Sequence, residues 1–332
     1  MKKNQSLQIK SALLVAVILV LFSSTIHAKT DGSRVSLDWV KRYYGFQSLT
    51  VRDKEITLVK RVNTLSFTGN SRRVIINGVA VWLGGPIVKK WGCWRILKSD
   101  VNKTIVPLLY PSRSLVSEGY RVVVIDPGHG GKDKGAKDPW RSVEEKRVAL
   151  YVAKKVRDIL AKDRIDVKLT RNSDCYVSLK QRCQTAKRYR ADLFVSIHLN
   201  AAKDQTASGL ETYVLAPAGC PTIFKPQSNK VFDRKTYLGN RNDSANIILG
   251  FMLQKSMLKF IRGRDRGIRR SRFYVLRNVA CPAALVECGF LSNRADAEKF
   301  ISKAYRDKIA RAIAEGICSY LNSVKLSHRI KR

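Results

Sequence analysis

A chain of 332 residues has room for one large domain and one small one. Its 63 basic and 26 acidic side chains give a net charge of +37, a surface that gathers polyanions. It nevertheless has no zinc-finger spacing, no basic helix running into heptads and no RNA-binding aromatic motif, which argues against a specific nucleic-acid reader. Lys2, Lys3 and Lys10, the apolar run Ala12 to Phe22 and the polar stretch Ser23 to Ala28 make residues 1–28 read as a secretory signal. The apolar run is shorter than the about 20 residues that cross a bilayer. An exported protein of the periplasm or cell envelope is therefore expected, with an uncleaved anchor as the alternative.

The charge is spread through the chain, with 16 basic and 6 acidic residues over 29–120 and 44 and 20 over 121–332. On an exported protein it suits anionic cell-wall polymers or lipid head groups, or it reflects a generally basic set of exported proteins in the host. Seven cysteines without a Cys-x-x-Cys pair argue against a cysteine-rich zinc module and a dense disulfide scaffold.

Residues 29–110 read as a small α+β domain. Asp38 to Tyr44 predicts a short helix. Ile56 to Val59, Thr64 to Phe67, Arg73 to Ile76 and Val79 to Leu83 predict strands, punctuated by Gly69-Asn70-Ser71 and Asn77-Gly78. Leu97 to Ile105 predicts a helix stopped by Pro107. Neither histidines nor clustered acids occur here, so chemistry is expected further on.

Residues 111–120 read as a linker. From 121 to 322 strands alternate with helices, the pattern of a parallel-rich α/β sheet. Strands are expected at Val122 to Ile125, Val167 to Leu169, Leu193 to Ile197, Glu211 to Leu215 and Ala284 to Val286. Helices are expected at Val143 to Leu160, Leu179 to Tyr189, Ala245 to Phe260 and Ile309 to Leu321. Residues 216–243 read as a long surface loop and residues 323–332 as a basic tail.

Only four histidines occur. His27 falls in the signal and His328 in the tail. His129 and His198 each follow a strand-like run, RVVVIDPGHGG and DLFVSIHLN, and strand ends are where sites assemble in α/β proteins. A phosphate-cradling loop fails at the first, because Lys132 is followed by Asp133 rather than Ser or Thr, and the dinucleotide pattern fails at the same Asp133. Taken singly, His129 can be a turn imidazole bonded to backbone and His198 a strand cap.

A hydrolytic zinc site takes three protein ligands and a water, so a carboxylate should join the two imidazoles. Glu144 and Glu145 both open the helix near Val143; one can reach the His129 loop while the other caps the helix N-terminus. Glu287, in AALVECGFLSN, offers a further carboxylate at a strand mouth, with a salt bridge to an arginine as its alternative role. Cys288 alternates to the opposite strand face and reads as core.

VVVIDPGHGGKDKGA, Glu145-Lys146, TRNSD, ADLFVSIHLNAA, GLETYVL and RFYVLRN…CPAALVECGFLSN together resemble the zinc-dependent N-acetylmuramoyl-L-alanine amidases of the type-3 family, collinearly over about residues 121–322. The resemblance implies a twisted, mostly parallel sheet flanked by helices, with one Zn2+ held by His129, Glu145 and His198. It favours Glu145 over Glu144, because the family's glutamate precedes a lysine, and it makes Glu287 the catalytic glutamate. Asp126 and Asn200 are candidates for orienting ligands or substrate, or for stabilising turns. NSRRVIINGVAVWLGGPIV resembles the copper amine oxidase N-terminal-like domain, an accessory module that implies no copper here. Some relatives insert a regulatory helix over the zinc; residues 216–243 are Pro-rich and basic and do not read as one, so an activator protein is not indicated.

The expected function is an exported peptidoglycan hydrolase cutting the amide between N-acetylmuramic acid and L-alanine. The alternatives are a non-catalytic wall-binding protein that keeps the fold and a zinc peptidase acting within the stem peptide.

Overall fold

Alternating burial builds the N-terminal unit. In β3 (Glu55–Lys60) and β4 (Asn63–Thr68), Ile56, Leu58, Leu65 and Phe67 point inward and are fully or almost fully buried, while their neighbours face outward. The computed structural model describes residues 33–115, 122–222 and 234–330; the expected signal, and residues 223–233 of the expected loop, lie outside them. β1 (Arg34–Ser36) leads into α1 (Leu37–Tyr44), whose start is capped by the Ser36 hydroxyl, which accepts from the Trp39 amide. The meander β2 (Ser48–Arg52), β3, β4, β5 (Arg73–Ile76) and β6 (Val79–Trp82) is antiparallel throughout. β1, β8 (Cys93–Leu97) and β7 (Val88–Lys90) form a separate three-stranded sheet.

The helix expected to stop at Pro107 continues to Leu109. A wide turn over Val101–Ile105 lets the Val106 amide bond the Val101 carbonyl, and Pro107 then falls in the first turn of the next helical segment, where no amide is demanded. Within the expected linker Pro111–Ser114 form a helical turn and Leu115 is buried, and residues 116–120 lie outside the described residues.

The second unit contains β9 (Val122–Pro127), α2 (Glu145–Lys162), β10 (Asp166–Leu169), α3 (Leu179–Arg188), β11 (Leu193–Asn200) and β12 (Leu210–Leu215). They are followed by α4 (Asp243–Phe260), β13 (Asp265–Ser271), α5 (Tyr274–Asn278), β14 (Ala283–Phe290), α6 (Arg294–Ile301) and α7 (Lys303–Ile330). The sheet order is β10-β9-β11-β14-β12-β13, parallel except where β12 meets β14. It is a mixed sheet flanked by helices. Val123, Ile125, Val195 and Ile197 pack on the side of α2 and α4; Val124, Phe194, Tyr213 and Leu285 pack on the side of α3 and α5. The residues read as a basic tail continue α7 as helix through Ile330, with Val324 buried.

The two units share one sheet. β6 pairs in parallel with β13, Val81 opposite Ile268, so that the order runs on through β6-β5-β4-β3-β2. The Ala80 amide donates to Asp265 Oδ2 at 2.7 Å and the Trp82 indole to the Arg266 carbonyl at 2.8 Å. Gly267 permits this approach, since at its φ of +82° a Cβ would lie 2.7 Å from the Ala80 carbonyl oxygen. β13 escapes a search for apolar alternation because Ile268 is its one aliphatic side chain and four of its seven residues are charged.

Candidate metal centre and catalytic cavity

Period-two geometry brings the site together. Asp126 on β9, Ser196 and His198 on β11, and Leu285 and Glu287 on β14 project from the sheet face that carries α3 and α5. His198 lies opposite Glu287 in the parallel pairing of β11 with β14, just before the register shifts at Asn200. Cys288 points to the other face and is buried in the core there. His129 sits on the turn after β9 at φ +59°, a left-handed conformation uncommon for a side chain of this kind. Gly128 makes room beside it, because a Cβ there would meet the His198 ring at 2.4–2.7 Å.

Glu145 is the hub. Its Oε2 lies 3.2 Å from His129 Nε2 and its Oε1 2.8 Å from His198 Nδ1. The same oxygens accept from the amides of Ala136 at 2.7 Å and Leu199 at 3.0 Å. Donor atoms of His129, Glu145 and His198 lie within 4.8 Å of one another, the one such metal-type cluster found among the described residues. Burial works against the Glu145 carboxylate, but the two histidines outweigh it and hold its pKa well below the usual range. His129 is likewise opposed by burial and raised by Glu145 and Asp133. Glu144 turns away, at 3.2 Å from Arg147 and 3.8 Å from Lys134, and its side chain makes no capping bond. The two adjacent acids are thus divided, one inward and one on a charged surface.

The other two candidates bond to groups outside this cluster. Asp126 is buried and bonded by Arg182 Nη1 at 2.7 Å, Thr170 Oγ1 at 2.5 Å and Ser196 Oγ at 2.8 Å; it touches none of the three clustered residues. Asn200 Nδ2 donates to Glu211 Oε1 at 2.5 Å. Three residues absent from the expected site stand closer to it. Asp133 Oδ2 lies 2.9 Å from His129 Nδ1, four residues on in the same turn. Arg182 donates to the carbonyls of Pro127 and His129, each at 2.7 Å. Arg171 donates to Gly128 O at 2.7 Å and Pro127 O at 3.1 Å. Arg171 belongs to the TRNSD segment, so its motif was visible but its task as a clamp on the distant His129 turn was not.

Glu287 faces a cavity of about 330 Å3 that it shares with His129, His198, Tyr176 and Tyr274. Its Oε2 is out of contact with solvent and has no hydrogen-bond partner among the described residues. Burial raises its pKa well above the usual carboxylate range, and the charges of Glu145 and Glu211 add to this.

An α/β sheet that gathers two imidazoles and two carboxylates at the mouths of its strands has the donor set of a metal-dependent hydrolase. The N-acetylmuramoyl-L-alanine amidase family profile matches residues 123–319. The chain is 32% identical over 226 residues to the N-acetylmuramoyl-L-alanine amidase AmiA of Escherichia coli, covering 62% of this chain and 78% of that one. It is 36% identical over 205 residues to the amidase CwlM of Bacillus licheniformis, covering 61% and 70%. Among solved structures, the amidase AmiC2 of Nostoc punctiforme superposes with a TM-score of 0.52 at 34% identity, covering 62% of this chain and 99% of that one. The chain belongs to the N-acetylmuramoyl-L-alanine amidase family, whose substrate is peptidoglycan.

Proposed function

We propose that this protein is an exported zinc amidase that releases stem peptides from peptidoglycan by cutting the amide between N-acetylmuramic acid and L-alanine, with Glu287 as general base. The observation that carries the reading is Glu287, which lines the cavity that also holds His129 and His198 and whose Oε2 has no hydrogen-bond partner among the described residues.

The donor set fits zinc. Two imidazole nitrogens and one carboxylate oxygen cluster within 4.8 Å, and three protein ligands that leave a further position open are what a catalytic zinc requires. His129, Glu145 and His198 would hold the ion. When bound, it supplies Lewis acidity, polarising the scissile carbonyl and lowering the pKa of water at the open position to about 7. Asp133 holds the His129 ring through Nδ1, leaving Nε2 directed at the cluster. Arg171 and Arg182 hold the backbone of the turn on which His129 stands. Glu287 takes the proton from the attacking water and returns it to the departing L-alanine amine. Burial raises its proton affinity, and its Oε2 has no hydrogen-bond partner among the described residues.

The N-terminal unit is read as an accessory module of the copper amine oxidase N-terminal-like kind, and the basic surface as a means of holding the enzyme on anionic wall polymers or lipid head groups. Export rests on the signal-like composition of residues 1–28. No activator protein is invoked, in keeping with the Pro-rich composition of residues 216–243.

Digestion of purified peptidoglycan with and without a chelator tests the function. Mass spectrometry should find intact stem peptides with a free L-alanine amine, lost on chelation and restored by zinc. Peptides cut internally would replace this reading with a peptidase, and an undigested wall would replace it with a binding protein.

A further inference from the structure

The face of the sheet that bears Glu287 holds a second cavity beside the catalytic one. Tyr274 borders both. The second cavity, of about 380 Å3, lies between α3 and α5, with Ala186, Val279 and Cys281 among its apolar lining and Lys180, Lys187 and Arg190 as its cations. Lys180, Cys183 and Lys187 recur at helical spacing, so one stripe of α3 faces it. Among the described residues, no Asp or Glu lines it.

General basicity of the chain does not account for this pattern. The catalytic cavity includes Asp126, Asp133 and Glu287, and a third cavity, which shares Arg190, includes Asp192 and Asp243 beside Lys103 and Arg241. Only the middle one of these three is purely cationic. Lys180, Lys187 and Arg190 form no ion pair among the described residues.

We infer that this middle cavity is the subsite for the acidic part of the stem peptide, a conclusion that rests on the amidase reading. The sugar side of the scissile amide is uncharged once the lactyl carboxyl is in the amide bond, so the substrate's negative charges lie along its peptide. An extended peptide advances about 3.3–3.6 Å per residue. Tyr274 lines both cavities, so the two adjoin, and a peptide running on from the amide enters the cationic one. The apolar floor takes the peptide's aliphatic carbons, and Lys180, Lys187 and Arg190 take its carboxylates in charge-assisted contacts.

The test uses the zinc-loaded full chain and a pair of N-acetylmuramoyl-L-alanyl peptides that carry either glutamate or glutamine after the alanine. The wild type should favour the acidic peptide about tenfold, mostly through KM, the worth of one charge-assisted hydrogen bond. In the Lys187→Glu, Arg190→Glu double variant that preference should vanish or invert, a change that a loss of fold alone would not produce. Equal KM for the two peptides in the wild type, or an undiminished preference in the double variant, overturns the subsite. Cleavage of neither peptide by the wild type overturns the amidase reading instead. Calorimetric titration of the Glu287→Gln protein with the same pair then decides the subsite separately. Tighter binding of the acidic peptide, lost in the double variant, supports it, and equal binding overturns it.

Discussion

Glu211 and Glu287 stand directly opposite each other in the antiparallel pairing of β12 with β14, and their hydrogen-bonding surroundings differ. Glu211 Oε2 lies 3.1 Å from Arg266 Nε and 2.7 Å from Arg269 Nε, and its Oε1 accepts from Asn200 and Tyr213. Glu287 Oε2 has no such partner. A saturated carboxylate is thus set beside one left free to exchange a proton. The Arg269 guanidinium lies over Trp82 of the N-terminal unit, 5.1 Å from its ring centre, so that unit braces the satisfied member of the pair.

Replacing Glu287 by Gln keeps the shape and removes the base. Stem-peptide release should fall about 10²–10⁴-fold, the range for a lost general base, while zinc content measured by atomic absorption stays at the wild-type level. Near-normal release in that variant would rule out the assigned role.

Asp133 should act on the metal through His129. The Asp133→Ala protein is expected to lose about 10–100-fold in zinc affinity, measured by competition with a chromogenic chelator. Glu144→Gln, which removes an acid adjacent to Glu145 but outside the cluster, is expected to leave zinc affinity as it was; equal losses in both variants would contradict the division of the two acids.

Asp126 gives the fold an acid-sensitive contact. Burial disfavours its charge, but Arg182 and the bonds from Thr170, Arg182 and Ser196 prevail and hold its pKa below the usual range. Its contribution is therefore full above the unfolded value of about 3.9 and is lost as pH falls toward the folded one. Asp126→Asn leaves Arg182 buried without its counter-charge, which should cost about 3–5 kcal/mol at neutral pH. The deficit should shrink at pH 3, when urea unfolding is compared at the two values. A deficit independent of pH would show that the charge is not what matters.

Gly267→Ala places a methyl against the Ala80 carbonyl oxygen at a positive φ. We expect β6 to loosen from β13 at a cost of about 1–3 kcal/mol. Hydrogen exchange should then accelerate at the Ala80 amide, which Asp265 accepts, while β3 and β4 keep their protection. Unchanged exchange at Ala80 would mean that the junction does not depend on this close approach.

Much of the catalytic unit was legible because its signals are local. Strand runs at Val122 to Ile125 and Leu193 to Ile197, and the helical spacing of Val148, Val152 and Val156, follow from side-chain periodicity alone. β13 was illegible because its arginines find partners elsewhere in the fold: Arg266 and Arg269 reach Glu211, and Arg270 Nη2 reaches Thr104 Oγ1 at 2.6 Å. The helix running past Pro107 was hidden for a related reason, since a proline marks a helix stop unless the preceding turn widens to accommodate it.

The sequence by itself determined the chemistry on offer: two histidines and two glutamates placed at strand and helix ends, in a basic chain with a signal-like start. Tertiary structure decided which groups meet. It turned Glu145 rather than Glu144 toward the histidines, set Asp133 and two arginines behind the His129 turn, left Glu287 Oε2 without a hydrogen-bond partner among the described residues, and joined the N-terminal strands to the catalytic sheet. The physical reason is distance along the chain. Periodicity and turn chemistry act over a few residues, whereas the partners of these groups come from strands and helices tens of residues away, and only packing brings them within hydrogen-bonding reach.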